Sequence, residues 1–182
     1  EYYYKIGYCL FLNGSYERAL SSFEKVKDSE SVYSSPAKYY YAHILYEKGE
    51  YKKALKDFEE LRKDKYFRSV VPYYICQIYY LDEDYDKLIE MAPQLSEKSI
   101  NSKRATELNR MLGDAYYKKG NYAEALTYIQ KSIETNQATN KDDNYLMGYC
   151  LLQTGEYAKA IPYLKAASTD NDRMSQNALY YL

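Results

Sequence analysis

Nucleophilic catalysis and metal binding depend on particular side chains held close together, and this chain is poor in them. It has one histidine, His43. A metal centre or an activated nucleophile draws on a second His, a Cys pair or a partnering base, and the sequence around His43 supplies none. Cys9, Cys76 and Cys150 lie far apart and form no CxxC pair. An odd, scattered set reads as small buried hydrophobes rather than a disulfide framework or a zinc site. Asp142, Asp143, Asp170 and Asp172 fall where loops meet helices, so they read as capping residues and not as an acid/base pair. Asn13-Gly14-Ser15 is a glycosylation sequon, but it sits in a tight turn that its residue types explain by themselves. No glycine-rich phosphate loop, GxSxG or HExxH occurs. No catalytic, cofactor-binding or metal-binding residue is assigned, and the chain reads as a non-enzyme.

What the chain has in quantity is tyrosine: 27 among 182 residues, with no tryptophan. Tyrosine joins an apolar ring to a polar tip and suits half-buried faces. The 25 basic and 26 acidic residues leave a formal net charge of −1. That balance offers no electrostatic ground for nucleic acid or an anionic membrane as partner. No apolar run is long enough to insert in a membrane. Gly and Pro are few, Ala, Leu, Lys and Glu are many, and alternating β-branched runs are missing, so the elements that carry the tyrosines are helices. The first residue is Glu, so the chain reads as a piece of a larger protein.

Those helices repeat. GEYKKALKDFEEL at 49 recurs as GNYAEALTYIQKSI at 120 and GEYAKAIPYLKAA at 155, with a looser copy, GSYERALSSFEKV, at 14. Tyr16, Tyr51, Tyr85, Tyr122 and Tyr157 are spaced by 35, 34, 37 and 35 residues. A helix precedes each of these turns and another follows it; in the second copy Tyr51, Ala54, Leu55, Phe58 and Leu61 mark its apolar face. The expectation is ten helices in five antiparallel hairpins, the start of an eleventh, and no sheet. One hairpin cannot bury its apolar faces alone, so neighbours must stack.

The pattern resembles the tetratricopeptide repeat (TPR) family, as a bacterial-type array, over essentially the whole chain. The resemblance implies an all-α, right-handed superhelix (solenoid) of antiparallel helix pairs. Its units are 1–33, 35–67, 69–103, 106–139 and 141–172, with a partial sixth at 175–182, in a single array. In such units two small residues meet where helices A and B cross: here Gly7/Ala19, Ala42/Ala54, Gly113/Ala125 and Gly148/Ala160. An aromatic four residues on, such as Phe23 or Phe58, fills the space above. Gly14, Gly49, Gly120 and Gly155 would end helix A in the left-handed conformation. The third unit departs, with Cys76/Leu88 at the crossing, Ala92 in place of the aromatic and Glu83 in place of glycine; Pro93 should end its helix B early. SEKSINSKR (96–104), KDSESVYSSP (27–36) and TNQATNKDD (135–143) read as loops between units. The chain stops in NALYYL, which looks like another helix A, so the parent protein is expected to continue.

In TPR arrays helix A lines the concave surface. Carried over by register, the groove positions are Tyr4, Tyr8 and Phe11; Tyr39, His43 and Tyr46; Tyr73, Gln77 and Tyr80; Arg110, Asp114 and Tyr117; Tyr145, Tyr149 and Leu152; and Tyr180. The first of each set is Tyr except at Arg110. Chaperone-type TPR domains hold a carboxylate with Lys and Asn at these places, which the tyrosines exclude. A groove for a helix or an extended peptide is the better match. The resemblance therefore implies a scaffold or adaptor that binds protein or peptide. The alternatives are inward packing of the tyrosines, a regulatory segment of a larger protein, or a carbohydrate-binding repeat that stacks sugars on the rings. The likeness to cell-envelope arrays suggests the periplasm.

Overall fold

The computed structural model describes residues 1–95, 101–136 and 139–182. Among them are eleven α-helices, one 3-10 turn and no strand, as the periodicity predicts. In chain order they are α1 (Tyr2–Leu12), α2 (Tyr16–Glu24), α3 (Ser34–Glu47), α4 (Tyr51–Leu61), α5 (Val71–Leu81) and α6 (Tyr85–Met91). After the 3-10 turn Ala92–Gln94 come α7 (Ser102–Lys118), α8 (Tyr122–Asn136), α9 (Lys141–Gln153), α10 (Tyr157–Ala167) and α11 (Arg173–Tyr180). They gather into two compact units, Glu1–Ile78 and Tyr79–Leu182, divided within α5.

In the first unit α1 packs on α2, α3 on α4, and α2 on α3. Ala19, Phe23, Val26, Ala37 and Ile44 form a shared core between them. In the second unit α7 pairs with α8 and α9 with α10, α8 packs on α9, and α11 packs against α10. Its core includes Ile129, Met147, Cys150, Leu151 and Leu164. Each hairpin leaves an apolar stripe that only the next hairpin can cover, so the stack is what makes any one hairpin stable.

The crossings are as close as the small residues suggest. A Cβ placed on Gly148 would lie 2.7 Å from Leu164 Cγ and 3.1 Å from the Leu164 backbone nitrogen. On Gly7 it would lie 2.8 Å from the Phe23 ring, and on Gly113 2.6 Å from Ile129 Cγ1. The group seated on each glycine is thus the residue one helical turn beyond the paired alanine. Ala54 and Phe58 of the second hairpin are fully buried in the same relation. Cys76 and Leu88 of the departing unit are likewise fully buried, and Ala92 is nearly so. Helix α6 stops at Met91 and continues as the 3-10 turn containing Pro93. A proline lacks the N–H that would have extended the α-helix.

The turn after α3 shows why glycine recurs. Gly49 has φ 77°. Its N–H donates to Tyr46 O at 2.9 Å, and that of Glu50 donates to Leu45 O at 2.8 Å, a Schellman closure of the helix end. The third copy closes in the same way with the wrong residue. Glu83 has φ 57°, its N–H donating to Tyr80 O and that of Asp84 to Tyr79 O. A residue with a Cβ in the left-handed region costs roughly 1–2 kcal/mol, against about 0.5–1 kcal/mol for the extra freedom of an unfolded glycine. Glu83 also adds a negative charge at a helix C-terminus, where the dipole disfavours it. Glu83→Gly is therefore expected to stabilise the protein by about 0.5–1 kcal/mol, read as a higher urea midpoint. An unchanged or lowered midpoint would show that the turn carries no such strain.

Three loops are shorter than the sequence suggests. Residues 96–100 of the first lie outside the described residues, but Asn101 already caps α7, its side chain accepting from Arg104 N at 2.9 Å. Ser102–Arg104 are therefore helical. In the second, 137 and 138 lie outside the described residues; α8 runs through Asn136, and a capping box of Asn140 and Asp143 starts α9. In the third, α3 begins at Ser34 and holds Pro36 in its first turn, where a missing N–H costs nothing. The loop aspartates are caps and ion-pair partners. The Asp172 side chain accepts from Ser175 N at 2.9 Å. Lys141 bonds both Asp172 and Asp170. The Lys141 hydrogen bond and then the Ser175 amide hold the Asp172 carboxyl down at about 2. Across the first unit Lys27 reaches the buried Asp57 at 3.1 Å. Burial pushes the Asp57 carboxyl up against that pairing.

Candidate functional site

Residues spaced by four and three lie on one face of a helix. Tyr4, Tyr8 and Phe11 on α1 and Tyr39, His43 and Tyr46 on α3 are placed in this way. The first unit joins the two faces through rings. The Phe11 and His43 centroids are 6.1 Å apart, Tyr39 and His43 6.0 Å, and Tyr4 and Tyr8 6.2 Å in a near-parallel stack. All six side chains are half-buried. One edge of each is engaged by the core, as when Tyr4 lies 6.1 Å from Phe23.

Two rings outside the groove register hold this face together. Tyr40 sits 5.2 Å from Tyr8 and 5.1 Å from Phe11, and stacks on Phe23 at 5.8 Å and 16°. Thirty-four residues on, Tyr74 sits 5.4 Å from both His43 and Tyr46 and stacks on Phe58 at 5.3 Å and 12°. In each case the following helix A drives a tyrosine between the groove-position rings and the core aromatic of the hairpin before it. The signal lay in the runs YYY at 39 and YY at 73, whose second members share one place in the repeat.

Other sequence-assigned positions behave differently. Tyr73 is only 4% exposed, and its hydroxyl accepts from Gln77 Nε2 at 3.1 Å. It belongs to the packed interior, because α5 turns this ring inward. In the second unit the Tyr80 hydroxyl donates to Asp114 Oδ2 at 2.9 Å. Arg110 Nε lies 3.2 Å from the capping Asp143, so its guanidinium already serves an ion pair between α7 and α9. Tyr117 and Tyr149 meet edge-on at 5.5 Å, Tyr145 stacks beside Tyr149 at 6.1 Å, and Tyr181 closes on Tyr149 at 5.2 Å. Leu152 packs against the core, whereas Tyr180 is 84% exposed.

Burial holds several of the hydroxyls on these faces in the protonated form. Burial, then the neighbouring Tyr8 and Tyr4, pushes Tyr40 up to about 12. Burial, then Tyr122 and Tyr181, does the same for Tyr149. Burial also raises Tyr4, Tyr80, Tyr117 and Tyr145. At neutral pH these six rings therefore present uncharged hydroxyls that donate or accept. Cys76 and Cys150, raised to about 12 by burial, are far from the thiolate form that reacts. Among the described residues no group of three His, Cys, Asp or Glu side chains is placed to hold a metal, and no helix is long and apolar enough to cross a membrane.

Two profiles described as tetratricopeptide repeat match the chain, one over residues 104–169 and one over 1–31. The chain is a tetratricopeptide-repeat protein. No curated protein matches its sequence. Among solved structures, the TPR chain is similar to MamA AMB-1, with a TM-score of 0.74 at 17% identity, covering 91% of this chain and 88% of that one. It is also similar to MamA 41-end from Desulfovibrio magneticus RS-1, with a TM-score of 0.70 at 16% identity over 93% and 96% of the two chains. A further MamA crystal structure gives 0.72 at 14% identity over 98% and 93%. At these identities the likeness is one of fold: an α-helical solenoid of stacked helix pairs. The TPR is a scaffold for protein or peptide partners.

Proposed function

We propose that this TPR protein is a non-enzymatic adaptor and that the aromatic face of its first unit, formed by α1 and α3, receives a helix or an extended peptide. The observation that carries this reading is the half-burial of Tyr4, Tyr8, Phe11, Tyr39, His43 and Tyr46. Core contacts fix one edge of each ring, so a partner would meet a surface whose side-chain entropy is already spent. Tyrosine brings large area and a hydroxyl with few rotatable bonds, which is why it is common in binding surfaces. Tyr117, Tyr145 and Tyr149 form a second, smaller face of the same kind in the second unit. Tyr73 and Arg110, occupied by packing and by an ion pair, fall outside the contact set.

The test avoids Tyr39, whose ring is wedged between Phe67 and Phe58. Short random peptides displayed on phage would be selected on the intact chain and rebound to a Tyr8→Ala/Tyr46→Ala variant. Truncating central aromatics costs about 2 kcal/mol or more of binding, so enriched peptides should lose most of their affinity while the helical circular dichroism is kept. Chemical-shift changes should gather on α1 and α3. Peptides that bind the variant undiminished, or shifts confined to α2 and α4, would remove the groove from consideration.

A further inference from the structure

The aromatic face of the first unit carries little charge of its own, but the fold brings charge to its edge. The connection between α4 and α5 reads RKDKYFRSVV from residue 62. Phe67 of this segment stacks on Tyr39, a groove position, with centroids 4.7 Å apart and planes 16° apart. Asp64 anchors the segment, its carboxylate accepting from Tyr66 N at 2.8 Å and Phe67 N at 3.2 Å. Against burial, a hydrogen bond from the Ser35 side chain and then those two amides hold its carboxyl below the usual range, so its charge is already engaged. Arg62 is paired with Glu59 at 2.9 Å. Lys63, Lys65 and Arg68 remain, and among the described residues none makes a salt bridge. Lys65 lies over the Tyr66 ring at 4.6 Å, and Tyr66 is 66% exposed. By contrast Lys27 and Lys38 of the same unit are engaged: they share Asp28, with Asp57 and Glu60 completing the set.

We infer that the α4–α5 segment is the electrostatic arm of the α1/α3 face and that the partner is an acidic protein segment. Its apolar side chains lie on the tyrosines while its Asp or Glu residues meet Lys63, Lys65 and Arg68. This rests on the groove reading above and adds the partner's charge to it. Unpaired cations at the rim of an aromatic surface steer an oppositely charged partner and fix its register. The stacked Phe67–Tyr39 pair ties the arm to the face, and the Asp64 turn holds it in shape. An anionic lipid surface would also attract these cations, but a bilayer would leave the adjoining aromatic face without a role.

Three synthetic amphipathic peptides, identical in their apolar residues and carrying Glu, Gln or Lys at every polar position, would be titrated by fluorescence anisotropy against the intact chain. The order expected is Glu, then Gln, then Lys, with the advantage of Glu shrinking as salt rises. In the Lys63→Glu/Lys65→Glu/Arg68→Glu variant the Glu peptide should weaken about tenfold or more and the Lys peptide should gain. The three side chains lie outside the core, and circular dichroism checks that the variant folds. Equal binding of the Glu and Gln peptides, or binding by none of the three, overturns the acidic assignment. If the Gln peptide binds and Tyr8→Ala/Tyr46→Ala abolishes it, the groove stands while the acidic preference falls. Glu-peptide binding that is indifferent to Tyr8 and Tyr46 separates the arm from the face and overturns the inference. So does charge-dependent binding to phosphatidylserine-containing vesicles without a preference for the Glu peptide.

Discussion

Phe58→Ala is expected to destabilise the protein by about 3–5 kcal/mol, the range for removing a large aromatic from a packed core. Phe58 is fully buried. It lies parallel to Tyr74 at 5.3 Å and tilted against Tyr39 at 6.3 Å. It is the floor on which the next helix A seats its tyrosine, so its loss removes the ring's own transfer energy and leaves a cavity beneath two others. Aromatic pairs add about 0.5–1.5 kcal/mol beyond area. Because Tyr39 carries the Phe67 stack, the α4–α5 segment should loosen as well. Urea melts give the stability loss, and hydrogen exchange should show the greatest loss of protection around residues 66–78. A loss below about 1 kcal/mol would mean that the site collapses freely around the gap and that the stacks contribute little.

Gly148→Leu is expected to cost about 3 kcal/mol or more, the upper part of the range for overpacking. Even the Cβ would fall 2.7 Å from Leu164 Cγ and 3.1 Å from a backbone nitrogen of α10, and Leu164 is only 1% exposed. Neither the side chain nor the helix behind it has room to retreat. In an open helix the same change would gain about 1 kcal/mol of helix propensity, so the sign of the result reports the crossing and not the helix. Thermal unfolding with the second unit's aromatic signal as probe would measure it. A neutral or stabilising outcome would mean that α9 and α10 are not in close contact there.

The repeat, the helices and the crossings were all legible before any coordinates. Apolar residues at three- and four-residue steps name the buried stripe of a helix, and small residues at registered places mark where two helices touch. The local chemistry was legible too: an aspartate at a helix start caps it, as Asp172 does, and Pro93 follows the early end of α6 at Met91. The loop boundaries were misjudged where a capping residue lay deeper in a polar run than composition suggests, as at Asn101 and Asn140.

The candidate face was legible as a set of positions and not as a surface. Periodicity places a side chain around its own helix axis. It says nothing of how far that helix is rotated or pushed toward its neighbour, and those rigid-body choices decide burial. Tyr39 and Tyr73 hold the same place in the repeat, yet Tyr39 is half-buried and Tyr73 is interior. Arg110 holds the same place again and is drawn into an ion pair by an aspartate more than thirty residues away. Tyr40 and Tyr74 look like surplus tyrosines in the sequence, and only the packing of one hairpin on the next makes them the wedges beneath the face. The contact of Phe67 with Tyr39, which sets a basic loop beside uncharged rings, likewise exists only in three dimensions. By itself the sequence determined which residues repeat and which elements they build, since those follow from short-range geometry. The tertiary structure decided which of the repeated tyrosines stay half-exposed and which are buried, since that depends on contacts between helices that no local period encodes.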